Sequence, residues 1–144
     1  MPADIKSRAE ARLIGAASEG GFADPRPALR QRLRELKETR GGAFQEALRH
    51  YEEQVVPALA EADALAAWIE YGAWVAGLSA PGRLLAVDAL GTARPYVSPA
   101  AAGTLILHVP DDTAAGVLVL AAPAAPSAAQ QAALDLLVNR KLAL

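Results

Sequence analysis

The chain has 144 residues, 53% of them hydrophobic, a formal net charge of -2 and no cysteine. That length supports one domain with a core of its own and is short for two. Without cysteine, disulfides and thiolate chemistry are excluded, and zinc would have to be held by the two histidines and carboxylates.

About a quarter of the residues are alanine, which lets helices approach closely and makes each bulky side chain count for more. The charge is uneven along the chain. Residues 1–42 hold nine Lys/Arg against six Asp/Glu, residues 43–82 hold one against six, and the remainder balances. A basic segment can mark a polyanion-binding face. This one is broken by Glu19, Glu35 and Glu38 and has little aromatic interleaving, which argues against nucleic acid. The N-terminus spreads its charges and lacks the apolar run of a secretory leader, so a cytoplasmic protein is expected. The most apolar stretch, Val55 to Leu78, is interrupted by Glu61, Asp63 and Glu70, charges too costly for a membrane span.

In chain order, a first helix is expected over residues 4–17, with Ile5, Leu13 and Ile14 apolar and Gly20-Gly21 as its stop; residues 1–22 read as a mobile arm. "DPRPALRQRLRELKETRGG" reads as the next helix, opened by Asp24 and proline, carrying Leu29, Leu33 and Leu36 at helical spacing and closed by Gly41-Gly42. Arg26, Arg30, Arg34 and Lys37 share its other side, where solvation or pairing with Glu46, Glu52 and Glu53 is expected. From Phe44 a stripe of Phe44, Ala47, Leu48, Tyr51 and Val55 marks an amphipathic helix, and Pro57 should break or kink it near Val56. The second piece runs to "SAPG" through "WIEYGAWVAGL", which is apolar nearly all round and so should be central. Its aromatics read as core, and Gly72 should admit a close neighbour. Glu70 is either the wet edge of that helix or a partly buried carboxylate needing an Arg or a backbone partner; burial against a cavity would favour ligand binding.

Residues 83–144 change character. "RLLAVDALG", "TARPYV", "GTLILHVP" and "AGVLVLAA" are short apolar runs punctuated by Gly, Pro and Asp, and read as an antiparallel meander of three or four strands with a turn at Ala89 to Thr92. Both faces of the "TLILHVP" and "GVLVLAA" strands are apolar, so both need cover, and a second copy of the chain is expected to supply part of it. "SAAQQAALDLLVNRKL" closes the chain as a helix, with Ser127 and Gln130 at capping-box spacing.

Candidate chemistry is sparse. Glu46, His50 and Glu53 share a helical face, but one such trio lacks the ligands from other helices that a bundle metal site needs, and it lies opposite the apolar stripe. No metal or cofactor is expected. "HVPDD" places His108 at a strand end with Asp111 in the following turn and Asp88 on a neighbouring strand, a pairing that could orient an imidazole as a base. No serine nucleophile setting or glycine-rich phosphate loop accompanies it. The candidate ligand-binding residues are therefore Glu70, Trp74, Arg94, Tyr96, His108 and Asp111.

The C-terminal run "AGVLVLAAPAAPSAAQQAALDLLVN" resembles the end of a GAF-type sensor domain, where a last strand leads through a proline-containing loop to a closing helix. That resemblance implies a small-molecule sensor with a pocket between helices and sheet. The residues taken together indicate a single α+β domain: a helical hairpin over residues 24–79 packed on the sheet, with a closing helix. The expected role is binding or assembly, without catalysis, in a self-associating protein, most simply a homodimer.

Overall fold

A computed structural model describes residues 22–23, 26–62, 64–98, 100–112 and 115–139. Its elements are β1 (Phe22–Ala23), α1 (Arg26–Arg40), α2 (Gly42–His50), a π-helical turn (Tyr51–Val55), α3 (Val56–Ala62), α4 (Ala64–Ser79), β2 (Gly82–Val87), β3 (Ala93–Pro95), β4 (Leu105–Pro110), β5 (Leu118–Pro123) and α5 (Ala128–Val138). The class is the expected α+β: a helical first half, an antiparallel sheet and a closing helix. The helix expected over residues 4–17 lies outside the described residues.

α1 forms where the leucine spacing places it, and Leu29, Leu33 and Leu36 are all buried. Gly41, at φ 73°, ends it in a backbone region that L-residues rarely adopt. In α2, Phe44 and Leu48 point inward as expected. Beyond them the pattern departs from the regular 3.6-residue period. Val56 N–H donates to the Tyr51 carbonyl five residues back, so the helix widens for one turn just before Pro57. The proline would otherwise drive its ring into the carbonyl four residues before it, and the wider turn relieves that clash. The inserted residue rotates the inward stripe: Glu52 and Val56 are buried, while Tyr51 and Val55 are only half-buried. The chain does not fold back at the proline. It reverses between Ala62 and Ala64, so that α4 runs back along α3 and meets the π turn through the Tyr51–Glu70 and Glu52–Tyr71 hydrogen bonds.

α4 is the central helix. Ala67, Trp68, Ile69, Tyr71, Gly72, Val75 and Ala76 are buried, and Gly72 lies against β5 so closely that a Cβ there would stand 2.7 Å from Leu120 Cδ2.

The strand order is β1-β5-β4-β2-β3. β4 returns to pair with β2 and does not succeed β3, so the order is not a simple up-and-down one, and the two residues of β1 extend the sheet beyond β5. The turn between β2 and β3 forms on Asp88, whose Oδ1 accepts from the Leu90 and Thr92 amides, with Gly91 at φ 84°.

Both faces of the sheet are indeed apolar and both are covered within the chain. One face joins Ile106, Leu118 and Leu120 to Leu29, Trp68 and Val75 of the helices. The other joins Leu85, Val87, Leu105, Leu107 and Val109 to Ala133 and Leu137 of α5. Every residue of β4 is buried. The sheet therefore does not need a second copy to cover it. α5 is held by the expected capping box and by Gln130, which is 1% exposed and donates from Nε2 to the carbonyls of Val87 and Gly103.

Candidate functional site

The rotation of the stripe at the π turn has a chemical result. It places Glu52, a carboxylate, where a helix of regular period would place an apolar side chain, and Glu52 is only 8% exposed. A buried carboxylate needs a donor, and the Tyr71 hydroxyl on α4 donates to its Oε1 at 2.9 Å. Tyr71 is itself buried among aromatics. Trp68 meets it edge-on at 5.7 Å between ring centroids, and Tyr51 stacks on Trp74 at 4.3 Å.

Glu52 borders a cleft of about 560 Å³ in the corner where α1 ends and α2 begins. Lys37 lines it from α1, Gln45, Glu46 and Arg49 from α2, and Leu48 contributes apolar surface. Lys37, Gln45, Glu46 and Arg49 are exposed, so Glu52 is the one buried ionisable group among the lining residues. Of the two readings for this basic side, solvation is the one seen at Arg34 and Lys37, which are exposed and have no described ion pair with Glu46, Glu52 or Glu53; the described pair on α1 is Arg32 with Glu35 at 3.2 Å.

The residues singled out from sequence lie in three separate places. Glu70 is exposed on α4, and its backbone carbonyl accepts from the Tyr51 hydroxyl at 3.3 Å. Trp74, one turn further on, is half-buried under Tyr51. Burial, and then the Glu70 charge, push the Tyr51 phenol up to about 12. Of the two readings left open for Glu70, the wet edge of the helix is the one seen, and the carboxylate that borders a cleft is Glu52.

Arg94 and Tyr96 lie at β3. Arg94 lines a groove of about 250 Å³ with Asp88, Thr92, Val97 and Thr104, whereas Tyr96 packs against the helix-side core and donates its amide to the Leu84 carbonyl.

His108 and Asp111 are at the far end of β4. His108 is buried, 6% exposed, on the helix side of the sheet opposite Leu84 and Leu118. Burial holds its pKa below the ordinary value, the nearby Arg32 adds to this, and Asp111 opposes it. Asp111 is exposed, its amide donates to the Pro81 carbonyl at 2.7 Å, and no described hydrogen bond joins it to His108. The register separates Asp88 from His108, since Leu84 pairs with His108 while Asp88 follows Val87, the partner of Leu105. Four residues of strand correspond to roughly 13 Å. The carboxylate-oriented imidazole is therefore not assembled.

Of the trio Glu46, His50 and Glu53, the first two are exposed on α2 and the third is half-buried in the π turn. No group of three or more potential metal ligands occurs among the described residues, and no described helix is long and apolar enough to cross a membrane.

The expected pocket between helices and sheet is not where the described open space lies. That interface is filled by Leu29, Trp68, Val75, Ile106 and Leu120, all at most 3% exposed. The chain matches no protein-family model, no curated protein and no solved structure, so the cleft at Glu52 stands on its own geometry.

Proposed function

We propose that this chain is a non-catalytic binding protein whose cleft between α1, α2 and the π turn takes a small polar ligand through Glu52. The observation that carries this reading is a carboxylate 8% exposed, fixed on one oxygen by Tyr71 and bordering open space of about 560 Å³. Buried charges are costly, and they persist chiefly where they are paired or used. A π turn that rotates such a group inward fits the frequent occurrence of π bulges at functional sites. A sensor role, in which binding changes what a partner protein meets, is consistent with this geometry. The test is a thermal-shift screen of charged metabolites with the wild type and Glu52→Gln. A ligand that binds the native state raises the melting temperature, and the rise should shrink in the variant. If every stabilising compound acts equally on both proteins, Glu52 has no part in binding.

Self-association is a second reading, supported by Leu136 and Val138 on α5, which are 40% and 55% exposed. Sedimentation that shows only monomer at about 50 μM, a concentration at which a weak dimer forms, would remove it.

A further inference from the structure

We infer that the ligand of the Glu52 cleft is a small zwitterion of the α-amino-acid class, its ammonium on Glu52 and its carboxylate on Lys37 and Arg49. The inference rests on the reading of this cleft as a ligand site. Three observations support it.

First, Glu52 is only half used. Tyr71 occupies Oε1, and no described side chain donates to Oε2. Yet among the described residues no buried side-chain oxygen or nitrogen lacks a partner. Oε2 is therefore not sealed in; it reaches the cleft that Glu52 lines. An oriented carboxylate with one open oxygen on a concave surface is an acceptor for a cationic donor.

Second, the same cleft carries two cations on its exposed rim. Lys37 comes from α1 and Arg49 from α2, and no described ion pair engages either of them. A ligand bearing only a positive charge would meet these cations as like charges, while one bearing only a negative charge would meet Glu52 and Glu46. A ligand with both charges satisfies both sides, and this double requirement is how a polar site rejects partial matches.

Third, Leu48 is the apolar member of the lining, next to Arg49 and four residues before Glu52. It gives a short aliphatic or amide side chain a surface to rest on, and the Gln45 amide adds a neutral hydrogen-bonding group. A compact amino acid fits a space of this size, which is typical of small-molecule sites.

The experiment is isothermal titration of the full chain with L-alanine, L-leucine, L-glutamine and L-lysine, alongside isobutylamine, which lacks the carboxylate, and propionate, which lacks the ammonium. At least one amino acid should bind with a dissociation constant of about 1 mM or tighter, and both single-charge analogues should bind at least about tenfold more weakly. Glu52→Gln, and separately the double change Lys37→Ala with Arg49→Ala, should each weaken binding about tenfold or more. Because a change at buried Glu52 can disturb folding, Tyr71→Phe and the exposed double variant provide independent readouts, with circular dichroism confirming a folded chain. If isobutylamine binds as tightly as the amino acids and the double variant changes nothing, the zwitterion inference is overturned while the cleft survives as a cation site. If none of the four amino acids binds but another charged metabolite does so through Glu52, the inference likewise fails and the binding reading stands. If nothing binds through Glu52, both fail.

Discussion

The Tyr71 hydroxyl donates to Oε1 of Glu52 at 2.9 Å, linking α4 to the π turn across the reversal of the helical hairpin. Both residues are buried, so this bond fixes one oxygen of a carboxylate whose other oxygen borders the cleft. Tyr71→Phe should cost about 1.5–3 kcal/mol, the range for a hydrogen bond to a charged group. Glu52→Gln should cost less, about 1 kcal/mol, because the amide oxygen can still accept. Urea unfolding of the two variants checks the order, and an unchanged midpoint in Tyr71→Phe would show that the bond does not stabilise the fold.

A second buried polar group holds the C-terminal helix. Gln130 receives the Ser127 amide on its side-chain oxygen at 3.0 Å and donates to the Val87 and Gly103 carbonyls at 3.1 and 2.8 Å. Gln130→Leu keeps the apolar volume but leaves two carbonyls without this donor, and should destabilise by about 2–3 kcal/mol. Ser127→Ala removes the cap and the bond from the Ser127 hydroxyl to the Ala89 carbonyl at 2.7 Å, and should cost about 1–2 kcal/mol, leaving the Val87 and Gly103 contacts of Gln130 in place. Equal losses for the two variants would mean that the cap, and not the contacts with Val87 and Gly103, carries the contribution of Gln130.

Gly82 starts β2 beneath the end of β4. A Cβ there would lie 2.4 Å from the Val109 carbonyl oxygen and 2.6 Å from Pro110 Cα, both backbone atoms that cannot swing aside. Gly82→Ala should therefore cost about 1–3 kcal/mol through overpacking. Gly77→Ala meets nothing within 4 Å in the last turn of α4 and should be neutral or stabilising by up to about 1 kcal/mol. Thermal melts of the pair decide whether close approach, and not glycine content, sets the difference.

His108 gives the fold a dependence on acid. Its pKa is lowered in the folded chain, by burial first, then by Arg32. Between the ordinary value near 6.5 and that lower one, the unfolded chain binds more protons than the folded one. Stability is therefore full above about pH 6.5 and declines as the pH falls toward the folded value, where the loss levels off. His108→Leu should flatten the decline between about pH 7 and 5.5, a window in which ordinary carboxylates barely titrate. A variant that keeps the wild-type slope there would assign the slope to another group.

Tyr51 acts at the opposite extreme. Its pKa is raised from 10.0 to about 12, by burial and then by Glu70. Here the stability it contributes is present below pH 10 and is lost as the pH rises through about 12, because the unfolded chain ionises first. Ultraviolet titration of the phenols should show one late component that disappears in Tyr51→Phe. Glu70→Gln should move that component earlier by removing the neighbouring charge.

Much of this architecture is legible in the residues because it rests on local rules. The leucines of α1, the Gly41-Gly42 stop, the Asp88 turn and the Ser127 cap each act within a few positions. The two apolar faces of β4 and β5 are likewise visible in their composition, although what covers them is not. α5 and the helices cover them, and composition alone could equally have assigned that role to a second copy. β1 was not readable, because two residues carry no periodicity and pair only through a register set elsewhere.

The candidate site was missed for a specific reason. The stripe of Phe44 and Leu48 extends at regular spacing to Tyr51 and Val55, and the π turn transfers it to Glu52 and Val56. The proline at position 57 was the available signal. It marks where the helix must deviate, and one inserted residue satisfies it as well as a break does. Glu70, the carboxylate that stood out among aromatics, is on the wet side of α4. His108 and Asp111, adjacent in sequence reasoning, share a strand end without a described hydrogen bond.

The short ends of the sheet have a bearing on how the molecule behaves in a crowd. β3 spans three residues, its last is a proline without an amide proton, and Arg94 beside it is exposed; β1 spans two. Among the described residues, neither border strand is itself long enough to present a long run of unpaired amides and carbonyls to another chain. Border strands this short, one of them ending in proline, work against growth into fibres by strand addition.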